Sequence, residues 1–191
     1  MPKQSPSQTV GPYFNYGLFR RGNENTLVNA QSKGQCILIE GQVFDGDDSP
    51  VTDAMVEIWQ ADAQGHFNHP NDPKQSEADP NFRGFGRSET RGTGRYQFKT
   101  VKPGLVATAD GQLQAPHVFV YVFARGMLIQ AATRLYFSDE AAANAADPVL
   151  SAVAPERQQT LIATLSEEND LPTYHLDIHL QGDNETVFFD Y

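Results

Sequence analysis

Cys36-Ile-Leu-Ile-Glu-Gly-Gln-Val-Phe-Asp45 is the stretch from which the fold class is read. It is rich in β-branched and other apolar residues and runs straight into Asp45-Gly-Asp-Asp-Ser-Pro50, a cluster that favours turns, so it reads as a strand closed by a turn. The next apolar stretch, Ala54–Gln60, alternates. Met55, Glu57 and Trp59 fall on one face and Val56, Ile58 and Gln60 on the other, a period of two that stops at Ala61-Asp62. Further strands are expected at Arg95–Val101, His117–Ala124, Met127–Phe137, Thr173–Gln181 and Thr186–Phe189, each bounded by Gly or Pro, which makes about seven in all. Only two helices are credible. One is Asp139-Glu-Ala-Ala-Ala-Asn-Ala-Ala146 behind an N-capping Ser138; the other is Pro155-Glu-Arg-Gln-Gln-Thr-Leu-Ile-Ala163, with proline in its first turn. Many short strands with one or two short helices predict an all-β chain, an antiparallel β-sandwich.

Working outward, residues 1–34 are rich in Gln, Asn, Ser, Pro and Gly and hold an aromatic cluster, Tyr13, Phe14 and Tyr16, without a sustained period. They read as an extended N-terminal arm whose aromatics dock on the domain, residues 35–191, or on a neighbouring subunit. Residues 65–94 read as a long ordered loop of the kind that carries function. The chain is long enough for one buried core and short for two. Its net charge of −10 argues against nucleic-acid backbones as partners, and an acidic substrate would need a local basic residue. The single cysteine, Cys36, cannot form an internal disulfide and reads as a core thiol. Met1 to Gly11 carry no apolar signal core and no run approaches a membrane span, so a cytoplasmic protein without membrane contact is expected.

The sequence has no CxxC pair, no GxSxG elbow, no GxxxxGK[ST] loop and no GxGxxG opening a helix. Five histidines remain as possible metal ligands. His175 and His179 lie on an expected strand, where a rise of ~3.3 Å per residue holds them roughly 13 Å apart, too far to share an ion. They read as a polar face opposite Leu176, Ile178 and Leu180. His66 and His69 sit in the long loop with no further ligand pair nearby. His117 opens the apolar strand Val118-Phe-Val-Tyr-Val-Phe123 and taken alone reads as a hydrogen-bonded structural residue. Arg125, in Phe123-Ala-Arg-Gly126, places a guanidinium at a turn. Its planar fork suits a carboxylate, although by itself it reads as an ordinary turn cation.

Several segments, taken in order, resemble the intradiol dioxygenase family. They are Ser7-Gln-Thr-Val-Gly-Pro-Tyr13, Gly41-Gln-Val-Phe-Asp-Gly46, Val56-Glu-Ile-Trp-Gln-Ala-Asp-Ala-Gln-Gly65, Asp79-Pro-Asn-Phe82, Val101-Lys-Pro-Gly104, Ala115-Pro-His117, Phe123-Ala-Arg-Gly126, Thr133-Arg-Leu-Tyr-Phe137 and Gln181-Gly-Asp-Asn-Glu-Thr-Val-Phe-Phe-Asp190. In the family's catalytic chains, two tyrosines and a His-x-His pair hold ferric iron. Here the corresponding positions carry Phe67 (after His66), Val106, His117 and Phe119. One ligand of four cannot hold the metal, and three hydrocarbon replacements imply a site filled as packed core.

That pattern is similar to the family's α-type, iron-free chains, which pair with a β-type subunit bearing Fe(3+) in a higher-order αβ oligomer. The resemblance implies intradiol cleavage of 3,4-dihydroxybenzoate with O2 to 3-carboxy-cis,cis-muconate, a step of aromatic catabolism, with no catalytic residue and no metal on this chain. It further implies that Thr9, Gly11, Pro12 and Tyr13 border the substrate and that Arg125 faces its carboxylate. The competing reading is a non-catalytic homo-oligomeric module of the same fold that binds an aromatic acid or a protein.

Overall fold

The computed structural model describes residues 8, 9, 11, 16–20, 22–108, 110–166, 168 and 170–190. Its regular structure is dominated by eleven strands: β1 (Cys36–Phe44), β2 (Met55–Gln60), β3 (Phe85–Glu89), β4 (Arg95–Val101), β5 (Val106–Ala107), β6 (Leu113–Gln114), β7 (His117–Phe123), β8 (Ala131–Phe137), β9 (Ile162–Ser166), β10 (Thr173–His175) and β11 (Ile178–His179). β1 buries Ile37, Ile39, Gly41 and Val43 and turns its alternate residues outward, as a half-buried strand should. Cys36 therefore lies on the outer side and is half-buried, not a core thiol.

β1 pairs antiparallel with β4, and on its other side it runs parallel to β10 and β11. The sheet continues through β9, β8, β7 and β2 to β3, while β5 and β6 form a separate hairpin. The all-β class is as expected, but the sheet is mixed, because β1 with β10, β1 with β11 and β8 with β9 are parallel. A parallel neighbour needs a crossover, and the short helices Ala141–Ala146 and Pro155–Gln158 lie in the one between β8 and β9. The edges approach each other where the backbone N–H of Gln97 in β4 donates to Ser88 Oγ in β3, 3.2 Å away. Val56, Ile58, Val118, Val120, Val122, Leu135 and Phe137 thereby share one core with Ile37, Ile39, Phe98, Tyr174 and Ile178.

Several elements differ from expectation: β8 begins at Ala131 and not at Met127, and the strand expected over Thr173–Gln181 is broken between His175 and Ile178. β3 was hidden in the long loop because its inward residues are Gly86 and Ser88, which give no apolar signal; a Cβ at Gly86 would lie 2.5 Å from Leu27 Cδ1. The second helix is α-helical only over Pro155–Gln158 and ends in a 3-10 turn, Gln159–Leu161, after which Ala163 and Leu165 point toward the core in β9. Ser138 caps no helix: its Oγ accepts from the Leu165 N–H at 3.0 Å, tying β8's end to β9. Thr186–Phe189 is extended without a ladder, held by Thr186 N–H to His179 O (2.9 Å) and Phe189 N–H to Ala132 O (2.8 Å).

Within residues 1–34, Thr26 bridges Lys99 and Leu27 joins the core. Among the described residues no helix is long and apolar enough to cross a membrane.

Candidate functional site

The four positions where the family's metal ligands would stand are gathered at one end of β2 and β7. Asp62 organises the first. Its Oδ1 accepts the N–H groups of Gln64 (2.9 Å) and His66 (3.0 Å), its Oδ2 that of Asp79 (2.7 Å), and its backbone carbonyl those of Gly65 and Gly104. Gly65 has a φ of 84°, and a Cβ there would sit 1.9 Å from Leu105 O, so only glycine lets the two loops touch. Phe67 is thereby brought into one cleft with Val106. The Phe67 ring stacks on Trp59 with centroids 5.7 Å apart, and Trp59 lies opposite Phe119 across the β2–β7 pairing.

His117 is buried beside Phe119, ring centroids 5.0 Å apart. Its Nδ1 lies 2.7 Å from the carbonyl oxygen of Ala115, which can only accept, so Nδ1 carries the proton. Burial, helped by the Arg134 guanidinium, pushes its pKa down to about 4 against the pull of the Ala115 carbonyl and Asp147, and the ring is neutral near pH 7. Arg134 lies over the Phe119 ring, 4.6 Å from its centroid. One imidazole with three hydrocarbon side chains offers no donor set for ferric iron, and the residues present do not fit that group. Among the described residues no group of three or more His, Cys, Asp or Glu is placed to hold a metal ion. The packed filling expected here is only partly realised. Val106 and His117 are buried, but Phe67 and Phe119 are half-buried, and a cleft of about 650 Å³ opens beside Phe67.

A second cleft, of about 420 Å³, lies toward the other end of β2. It brings together Thr9, Gly11 and Arg125 with Asp53 and Arg91. Thr9 is anchored where its hydroxyl donates to Ala124 O at 3.3 Å. Arg125 Nε lies 3.2 Å from Asp53 Oδ2, and the side chain is 86% exposed in the chain alone, so its guanidinium keeps donors open to a ligand. Pro12 and Tyr13 lie outside the described residues. Sequence reasoning missed Asp53 and Asp62. Asp62 had an available signal, an Asp three residues before Gly65 that caps its own turn; Asp53 had none, since it meets Arg125 only through tertiary structure.

Of the remaining histidines, His175 and His179 line neither cleft, whereas His66 and His69 line the one beside Phe67. His175 Nε2 is 3.1 Å from Asp177 Oδ1, and His179 Nδ1 is 3.4 Å from Asp48 Oδ1, while Leu176 and Ile178 face the core. His66 Nε2 is 3.6 Å from Glu77 Oε2, and His69 meets Trp59 edge-on at 6.0 Å.

Compared with known proteins, residues 9–182 match the family described as Dioxygenase. The chain is 46% identical to the protocatechuate 3,4-dioxygenase alpha chain of Burkholderia cepacia, over 98% of both chains. The chain belongs to the intradiol dioxygenase family. A second family member, the protocatechuate 3,4-dioxygenase beta chain of the same organism, is 31% identical over 85% of this chain and 72% of that one. The fold is also that of the crystal structure of catechol 1,2-dioxygenase from Pseudomonas arvilla C-1. The TM-score is 0.62 at 20% identity, covering 82% of this chain and 55% of the other.

Proposed function

We propose that this chain is the non-catalytic α subunit of a two-chain intradiol dioxygenase acting on 3,4-dihydroxybenzoate and O2 to give 3-carboxy-cis,cis-muconate. In this reading the iron belongs to a β-type partner in the cytoplasm, where it supplies the oxidative chemistry, and αβ pairs assemble further. This chain binds and orients. Arg125 takes the substrate carboxylate, while Thr9 and Gly11, with Pro12 and Tyr13, border the ring.

The observation that supports this most is the convergence of Thr9, Gly11 and Arg125, over a hundred residues apart in sequence, on one cleft with an exposed guanidinium. The protein carries a net charge of −10, so a carboxylate needs such a local cation. Asp53 contacts Nε and leaves the terminal nitrogens able to donate two parallel hydrogen bonds.

Co-expression with the β-type chain, followed by metal analysis and oxygen uptake, tests the reading: iron and turnover belong to the pair and not to this chain alone. Arg125→Ala in the complex removes a charge-assisted contact of about 2–3 kcal/mol, so KM for 3,4-dihydroxybenzoate rises by tens of fold. KM for uncharged catechol stays within about twofold. Stoichiometric iron and turnover in the lone chain would refute the reading, and an unchanged KM in a normally assembled variant would remove Arg125 from the site.

A further inference from the structure

We infer that the cleft beside Phe67 is a ligand site in its own right, binding a monocyclic aromatic carboxylate without transforming it. The inference does not depend on the α-subunit reading, because every residue it uses belongs to this chain.

Phe67 and Val106 leave an open cleft beside them. The cleft of about 650 Å³ exceeds the volume of a single substituted ring, and its walls suit one. On one side stand Trp59 and Phe67, stacked with their planes 16° apart, and His69 at right angles to the indole. On the other are Leu105, Val106 and Leu113, of which Leu105 and Leu113 are among the few large apolar side chains left exposed. An aromatic ring entering the cleft therefore finds both aromatic and aliphatic surface to cover.

The polar end of the cleft favours an anion. Asp72 is committed to the loop: its Oδ2 accepts the Phe67 N–H and its Oδ1 the Lys74 N–H, both at 2.8 Å. Glu77 is directed to His66. Lys74 also lines the cleft, is exposed, and makes no ion pair among the described residues. His69 Nδ1 accepts the Asn71 N–H at 3.2 Å, so the ring proton sits on Nε2 as a donor. An ammonium and an imidazole N–H beside an aromatic platform match a ring bearing one carboxylate. Among the described residues no set of metal donors lines the cleft, which is why binding and not turnover is inferred.

The two clefts are separate. Met55 lines the Arg125 cleft and Trp59 this one, and four residues along a strand span about 13 Å. Trp59 is the protein's one tryptophan and lines this cleft but not the Arg125 cleft; it also borders a smaller cleft beside Asn81 and Arg83 that Lys74 does not line, so the Lys74 variants assign any signal to this one.

The test is titration of the full-length chain with benzoate under selective tryptophan excitation. Saturable quenching with a dissociation constant on the order of millimolar is expected. Lys74→Met weakens it by about fivefold or more, and Lys74→Arg restores it. Lys74 is exposed, so neither variant threatens the fold, and Arg125→Ala leaves the titration unchanged. Quenching that stays linear, that ignores Lys74→Met, that is lost in Arg125→Ala, or that benzamide reproduces with equal affinity would each overturn the inference. None of these outcomes bears on the oxygen-uptake assay of the assembled enzyme, so the two readings fail separately.

Discussion

Removing one ammonium should cost this fold more than a surface charge normally does. Lys102 follows directly on β4. Its Nζ lies 2.6 Å from Asp139 Oδ2 and 2.7 Å from Glu140 Oε1, ahead of the helix Ala141–Ala146. It also lies 5.7 Å from the ring centroids of both Phe137 and Tyr174, and the Tyr174 hydroxyl donates to Asp139 at 3.0 Å. The lysine side chain is 14% exposed and the carboxylates are 35% and 31% exposed. A hydrogen bond to a charged group is worth about 1.5–3 kcal/mol, but these carboxylates regain water when the lysine goes, which discounts each to about 1–1.5. Lys102→Met keeps the stem and loses the charge, so unfolding becomes easier by about 2–3 kcal/mol. For a chain of this length that lowers Tm by roughly 5–10 °C.

The pH dependence follows from the two shifts. Burial alone would lower the Lys102 pKa, but its hydrogen bonds to Asp139 and Glu140 outweigh this and raise it, so its contribution is present at neutral pH and is lost as pH rises through the folded value. Burial alone would raise the Asp139 carboxyl, but Lys102 and Tyr174 hold it below 3.8. Its contribution is therefore present above that value and lost as pH falls through the lowered one. Urea unfolding of wild type and Lys102→Met should thus differ by a constant amount from roughly pH 5 to 9 and converge in acid. A difference below about 0.5 kcal/mol at pH 7 would refute the reasoning, because it would place the pair with ordinary surface ion pairs.

Two further outcomes follow from buried groups. His117, held down to about 4, stays neutral in the fold while the unfolded chain takes up a proton below pH 6.5; stability should fall by about 2 kcal/mol between pH 7 and pH 5, and urea titrations of His117→Gln should lose most of that slope. Gly41 lies against the chain between β10 and β11, where a Cβ would sit 1.8 Å from Leu176 O and 3.0 Å from the Tyr96 hydroxyl; Gly41→Ala should cost about 2–4 kcal/mol by thermal melting, and an unchanged Tm would mean that the close approach is not there.

What could be read from the sequence depended on whether each signal was local. β1, β2, β4 and β7 announce themselves because their inward residues are large and apolar, so the period of two is visible without knowing what they face. β3 is as regular but points Gly86 and Ser88 inward, and its pairing with β2 is set by partners such as Glu57 opposite Arg87. The parallel pairings are invisible for a different reason. A strand's pattern records which face is buried, not the direction of its neighbour, so β1 could not disclose that β10 and β11 run alongside it. Among the site residues, Phe67, Val106 and Phe119 stood out only against the family pattern. Asp53 meets Arg125 across loops 72 residues apart, a contact that no local spacing encodes.

The charged groups around His117 find their partners within the chain. Asp147, fully buried, accepts the N–H groups of Ala115, Val149 and Leu150 and the hydroxyl proton of Tyr136, so its carboxylate oxygens are satisfied by the chain itself. Arg134 supplies a positive charge nearby, lying over Phe119 and donating to the Tyr136 hydroxyl at 3.5 Å, while His117 stays neutral against the Ala115 carbonyl. The loop geometry on the other side is likewise held within the chain, since Asp62 and Gly65 fix it through backbone contacts alone. The frame around His117 and Phe67 is therefore held by contacts within the chain. Selection on it can act through the two clefts it holds open at either end of β2, one presenting Arg125 and the other Trp59.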